Sequence, residues 1–191
     1  LRQLVERIAS YSPVNEQERM DQQLMLSYID MFSDVLTRYN KICHFTSSGF
    51  VLNETCSKVL MVHHNIFNTY SWIGGHLDGN PDCLRVAHDE VLEETGLKRI
   101  KVICPQIMSL DILPVIGHYK NGKYVTPHLH LSISYIFMAV EKMAVTPKLD
   151  ENSAVKWLSI NALERHINEP QLLVIYNKIK AKVRILQEAP F

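Results

Sequence analysis

Apolar residues recur at helical spacing over Leu1–Ala9 and again over Glu16–Tyr39, where Leu24, Tyr28, Phe32, Val35 and Leu36 fall on one stripe. The segment SYSPVN between them reads as a turn. From about His44 the spacing shortens, and FTSSGFVL, VLMVHH and TYSWIGG read as strands, with NETCSK turning between the first two. Asn80-Pro81-Asp82 then opens a helix: Asn can cap, Pro fits the first helical position, and Asp suits the positive end of the dipole. Gly96 closes that helix. IKVICPQIMSL, ILPVIGHY and YVTPHLHLSISYIFMAV follow as strands, the last two joined by a hairpin turn at Asn121-Gly122, and AVKWLSI is a short further strand. Ser159–His166 and Gln171–Gln187 read as helices. The second buries Leu172, Ile175, Ile179, Val183 and Leu186 and leaves Lys178, Lys180, Lys182 and Arg184 on a solvated face.

This order predicts an α/β chain with a mixed sheet, divided into an N-terminal helical extension over 1–42 and a main domain over 43–191. The apolar stripe of the leader helix needs a cover. Packing over the sheet is favoured over a dimer contact, which leaves monomer or homodimer as the expected state.

Composition narrows the function. Lys plus Arg equals Asp plus Glu at 20 each, so the general footprint of a nucleic-acid polymer or anionic-membrane binder is absent. The longest apolar-rich run, LSISYIFMAV, is shorter than a membrane span requires, and the first residues carry charges without a signal-like cleavage site. Cys43, Cys56, Cys83 and Cys104 form no C-x-x-C pair and no disulfide-dense spacing, which favours reduced thiols and a cytoplasmic setting.

The chemistry concentrates in HDEVLEETGL. Glu90, Glu93 and Glu94 fall at i, i+3 and i+4 of the predicted helix, where like charges repel. The helix follows a tight W-I-G-G turn, in which Gly74-Gly75 can bring backbone close to a ligand. Clustered acids are costly alone and favourable around a hard divalent cation, which commonly also takes phosphate oxygens and water. Phosphoryl or pyrophosphate hydrolysis is the chemistry that follows.

GGHLDGNPDCLRVAHDEVLEETGL resembles the Nudix box, G-x5-E-x7-R-E-U-x-E-E-x-G-U with U aliphatic, and Gly75, Glu90, Val91, Glu93, Glu94, Gly96 and Leu97 match its anchors. KLDENSAVKWLSINAL is similar to the family's segment after the central strands, so the resemblance covers about residues 43–187. It implies an α/β/α sandwich around a mixed sheet, with Mg²⁺ or Mn²⁺ held by Glu90, Glu93, Glu94 and the carbonyl of Gly74. It also implies hydrolysis of a small-molecule diphosphate by a metal-activated water. The general base varies in the family; Glu90 and Glu151 are the candidates here, with Asp150 in reserve.

Two box positions depart from the pattern, the early glutamate falling on Pro81 and the arginine on Asp89. Asp82 or Asp78 could replace the lost acid. Asp89 stands open between a tolerated surface acid, an extra metal ligand and a source of weakened catalysis. Arg85, one turn earlier, is positioned to pair with it. The departures keep a second function in play, a Nudix-like ligand-binding or regulatory module with weak or no hydrolysis. A third, isomerisation of an isoprenoid diphosphate, lacks its surrounding cysteine and glutamate motifs.

Histidines cluster near predicted strand ends. His76 follows Gly75, as in a subset of Nudix proteins that is similar in reading G-G-H-x-D, and His128 and His130 alternate on one strand and share a face. The pair could approach a phosphate or share a metal, or be ordinary strand residues; His76 and His130 are the substrate-contact candidates. His63-His64, Trp72, Tyr70 and Cys83 are read mainly as structural.

Overall fold

The structure, a computed structural model, describes residues 1–120 and 122–188. Its order is α1 (Arg2–Ala9), α2 (Glu16–Met31), β1 (Cys43–Leu52), β2 (Lys58–His64), β3 (Thr69–Ser71), β4 (Ile73–His76), α3 (Cys83–Thr95), β5 (Lys101–Val115), β6 (His118–Lys120), β7 (Lys123–Val125), β8 (His128–Met138), β9 (Asn152–Ser159), a 3-10 turn at Leu163–Arg165, and α4 (Pro170–Glu188).

Seven strands form one mixed sheet with the path β3-β2-β1-β8-β5, β4 pairing β1 and β9 pairing β2. β1 and β8 run parallel at its centre, β1 buried throughout and β8 over residues 131–137. Buried strands read as continuous apolar runs only where both faces are covered, and two apolar clusters provide that cover. One gathers α1, α2 and α3 against Phe45, Val51, Ile133 and Phe137. The other packs Leu172, Ile175, Tyr176, Ile179 and Val183 of α4 on Phe50, Met61 and Ile136. The architecture is the expected α/β/α sandwich. Leu4, Ile8, Met25, Ile29 and Val35 of the leader belong to the first cluster, and α2 lies along β5, covering the sheet. Asp21 of α2 accepts from the Ile112 amide at 2.8 Å, and Gln17 donates to the Leu110 carbonyl.

Several local expectations are corrected. α2 ends at Met31 because Phe32 is extended (φ −123°, ψ 113°), so Val35 and Leu36 pack from a loop; the buried helical face runs through Glu18, Met25 and Ile29, while Leu24 is exposed. Asp82, not Asn80, caps α3: its side chain accepts from the Arg85 amide, Asn80 accepts from the Asp82 amide, and Pro81 stays outside the helix. Gly96 ends α3 in the left-handed region at φ 68°. IKVICPQIMSL and the start of ILPVIGHY are one long strand, β5, with register shifts around Cys104, and β6 and β7 form their own hairpin. Asn121 of that turn lies outside the described residues. Ser159–His166 supplies only the 3-10 turn.

The lysine face of α4 is the largest correction. Lys178 is buried, reaching Asp111 at 2.6 Å and Glu18 at 2.9 Å, and Lys182 reaches Glu18 at 3.1 Å. Burial pushes Glu18 up, but bonds from Tyr11, the Val14 amide and Lys178 bring its pKa down to about 2. These charges from α2, β5 and α4 compensate one another, because an unpaired buried ion costs several kcal/mol.

Candidate functional site

The Gly74-Gly75 backbone of β4 pairs with Ser48 and Ser47 of β1, and α3 crosses it on the face away from α4. No side chain fits between. A Cβ on Gly75 would overlap the Glu90 carboxylate, and one on Gly74 would stand 2.5 Å from the Ser47 carbonyl oxygen. Close approach of backbone to the box helix is therefore what the glycines supply.

Glu90 and Glu94 project from this face of α3 toward the start of β9. Glu94 is 5% exposed and accepts a 2.9 Å hydrogen bond from Asn152. Burial and then the neighbouring Glu90 push its pKa up to about 8, and burial followed by Glu93 pushes Glu90 up to about 7. Two carboxylates held near neutrality mark a place that lacks positive charge. Glu93 is directed outward, its side chain 58% exposed and paired with Lys148 at 2.6 Å. Lys148 also reaches Glu151 at 3.3 Å, and Lys120 meets Glu151 from β6 at 3.2 Å. Against the upward push of burial, these two lysines hold Glu151 below the usual carboxylate range. Asp150, the reserve base, sits in the turn before β9 and makes no ion pair among the described residues.

The substitutes weighed for the altered box positions are engaged elsewhere. Asp89 pairs with Arg85 at 2.6 Å on the exposed flank of α3 and is touched by His88 at 3.1 Å. Asp82 caps the helix and Asp78 is clamped by Arg38. Trp72 packs edge-on against Tyr176 in the core, and burial pushes the Cys83 thiol up to about 12, so neither offers a stacking surface or a nucleophile.

Across the sheet lies a cavity of about 370 Å³, lined by His44, His64, His76, His118, His128 and His130 with Arg38, Lys41, Lys120 and Phe67. Register explains the gathering. His44 of β1 stands beside His130 of β8, and Thr46, two residues on, stands beside His76 of β4, so all three histidines share one face at one end of the sheet. Their rings lie 5.0–5.1 Å apart. Burial, then His44 and Arg38, push His76 down to about 3, and burial, then the imidazoles of His76, His44 and His128, push His130 down to about 2. Lys120 belongs both to this cavity and to the Glu151 pair, so cavity and acids adjoin.

His44, Asn152, Lys120 and Lys148 escape a reading of the sequence. Asn152 follows Glu151 directly, and that adjacency was the available signal. His44 is an isolated histidine at a strand start, and only the parallel pairing with β8 gives it company.

No family model matches the chain, and no curated protein matches it by sequence. Solved structures do. An Ap4A hydrolase from C. elegans superposes with a TM-score of 0.54 at 14% identity, covering 73% of this chain and 97% of that one. RenU, a Nudix hydrolase from M. smegmatis, gives 0.54 at 13% identity over 78% and 88%. The dihydroneopterin triphosphate pyrophosphohydrolase of E. coli gives 0.52 at 14% identity over 76% and 96%. The fold is that of the Nudix hydrolases, as the box anchors imply.

Proposed function

We propose that the protein is a divalent-metal-dependent hydrolase that cleaves a diphosphate linkage in a nucleoside diphosphate derivative or related organic diphosphate. The observation that carries the reading is the pair of buried carboxylates, Glu90 and Glu94, seated against backbone that has no room for a side chain. Such a pair has little reason to persist without a cation. Glu90, Glu93 and Glu94 do not gather within 4.8 Å of one another; with Glu93 freed from Lys148, they and the Gly74 carbonyl would supply an all-oxygen donor set, which suits Mg²⁺ or Mn²⁺. A bound ion would neutralise charge on diphosphate oxygens and acidify the attacking water.

The chain's own groups do the rest. Glu90 and Glu151 are the two acids placed to take a proton from the attacking water, Glu90 from among the proposed ligands and Glu151 from the segment held by Lys120 and Lys148. Lys120 and Lys148 bring positive charge to the place where phosphates would lie. The adjoining cavity would receive the remainder of the substrate, with His76 and His130 on its wall. The unpaired thiols of Cys43, Cys56, Cys83 and Cys104 support a reducing, cytoplasmic setting.

A second reading, a ligand-binding module with weak hydrolysis, draws on the Lys148 bridge between Glu93 and Glu151, which a metal must displace. The experiment that separates them incubates the protein with nucleotide sugars, dinucleotides, nucleoside triphosphates and prenyl diphosphates, with Mg²⁺ or Mn²⁺, and identifies the products. Metal-dependent cleavage, reduced about 10²–10⁴-fold in Glu94→Gln, supports the hydrolase. Tight binding without product at any metal concentration replaces it with the binding module.

A further inference from the structure

We propose that His44, His76 and His130 form a second metal site, chemically distinct from the carboxylate cluster and built for a transition-metal dication of the Zn²⁺ class. Each offers one ring nitrogen, and these three atoms all lie within 4.8 Å of one another. Among the described residues no other three His, Cys, Asp or Glu side chains are gathered so closely. Three imidazoles and an open position form a recurrent zinc donor set, whereas Mg²⁺ selects oxygen ligands.

His44 is the independent indication. It is 4% exposed, its Nε2 is buried and has no hydrogen-bond partner, and its Nδ1 lies 3.0 Å from the Asn40 carbonyl oxygen. A carbonyl only accepts, so Nδ1 carries the proton and Nε2 presents a lone pair. That arrangement fixes a ligating histidine in many metal proteins, the second ring nitrogen donating to a carbonyl or carboxylate. His128 shares only the first half of the pattern: its Nδ1 lies 2.8 Å from the Thr126 carbonyl oxygen, but its Nε2 is engaged, 3.2 Å from Nε2 of His130. A buried imidazole nitrogen without a partner is costly to keep, and a ligated ion removes that cost.

The surroundings permit a cation. Arg38 is balanced by Asp78 and Lys120 by Glu151, which leaves Lys41, bonded among the described residues only to the Arg38 carbonyl, as a positive charge on the cavity wall that an anionic ligand oxygen would meet. Neutral ligands leave the ion's charge on the cavity side, where an anionic oxygen of a ligand would complete the coordination. The inference does not depend on the hydrolase reading, since none of its three ligands is among the acids proposed to hold Mg²⁺ or Mn²⁺.

The test uses the full chain, stripped with chelator and dialysed, then titrated with Zn²⁺ and with Co²⁺ by calorimetry and visible absorption. One equivalent should bind, with Co²⁺ developing the intense visible bands of a low-coordinate imidazole site. Binding should persist in Glu94→Gln and weaken at least about 100-fold in His76→Gln and in His130→Gln. His44→Gln is read only if its circular dichroism matches the parent, the other two variants carrying the test where it does not fold. Absence of binding, binding equally lost in Glu94→Gln, or binding unchanged in folded His76→Gln and His130→Gln each overturns the site.

Discussion

Asn152 holds the Glu94 carboxylate with a 2.9 Å hydrogen bond, tying the first residue of β9 to the last full turn of α3. Asn152 is buried and sits beside Glu151, so one short segment positions both a metal-ligand candidate and a base candidate. Replacing it with Ala removes the only side-chain donor to Glu94 among the described residues. If Glu94 is a ligand as proposed, Mg²⁺ or Mn²⁺ should then bind about 10–100-fold more weakly, as on loss of other groups that orient a ligand. Because the donor lowers the Glu94 pKa, the pH profile of activity should also move upward, a shift that simple loss of stability would not produce.

The two box glycines should fail differently. Gly75→Ala collides with the end of a flexible side chain, so Glu90 swings away and activity falls about 100-fold while the thermal midpoint changes little. Gly74→Ala meets the Ser47 carbonyl and the Ser48 backbone, which cannot yield so easily. It should cost about 1–3 kcal/mol in urea denaturation. Equal destabilisation by the two would contradict the assigned contacts.

Glu90 and Glu94 make the metal-free protein sensitive to pH. Their folded pKa values, about 7 and about 8, lie above the ordinary 4.5. A raised folded pKa contributes stability that is complete below the unfolded value and is lost as pH rises through the folded one. Glu93, Glu151 and Asp78 push in this direction, while Lys148 and, at Glu94, Asn152 oppose it. Thermal scans from about pH 6.5 to about pH 8.5, above the range where the depressed histidines titrate, should show the midpoint falling with pH. Saturating Mg²⁺ should flatten the slope, and Glu94→Gln should reduce it without metal.

Asp89 is expected to be dispensable for metal binding. Its partner is Arg85 on an exposed flank, and its carboxyl is held down first by that bond. Asp89→Asn should leave the metal activation constant within about twofold, because exposed ion pairs contribute little. A tenfold rise would make Asp89 a ligand.

Lys178 carries the opposite expectation. With Glu18 and Asp111 both buried against it, Lys178→Met leaves Asp111 without a cation and Glu18 with Lys182 alone, and should cost about 3–5 kcal/mol in urea denaturation. A change below 1 kcal/mol, measured at neutral pH, would show that the network contributes little there.

Legibility in the sequence followed range. The box helix, its Gly96 cap and its acids were readable because caps, spacing and turn residues are local signals. Lys178 and Lys182 were not readable, since a helix with lysines four apart looks solvated until Glu18 and Asp111 arrive from remote elements. The histidine cluster shows the same limit: His128 and His130 announce a shared face, but His44 joins them only through the parallel register of β1 with β8. Asn80 was misread as the cap because Asp82 competes for the same task and lies closer to the first apolar turn.

The contact of α2 with β5 reaches beyond the fold. Asp21 and Gln17 occupy polar backbone groups that an outer strand otherwise offers to any passing strand. A chain beginning at β1 would retain the box and every proposed ligand, yet carry a fifteen-residue template for intermolecular pairing. Without those two contacts, truncated protein should accumulate as aggregate even where the proposed ligands are intact.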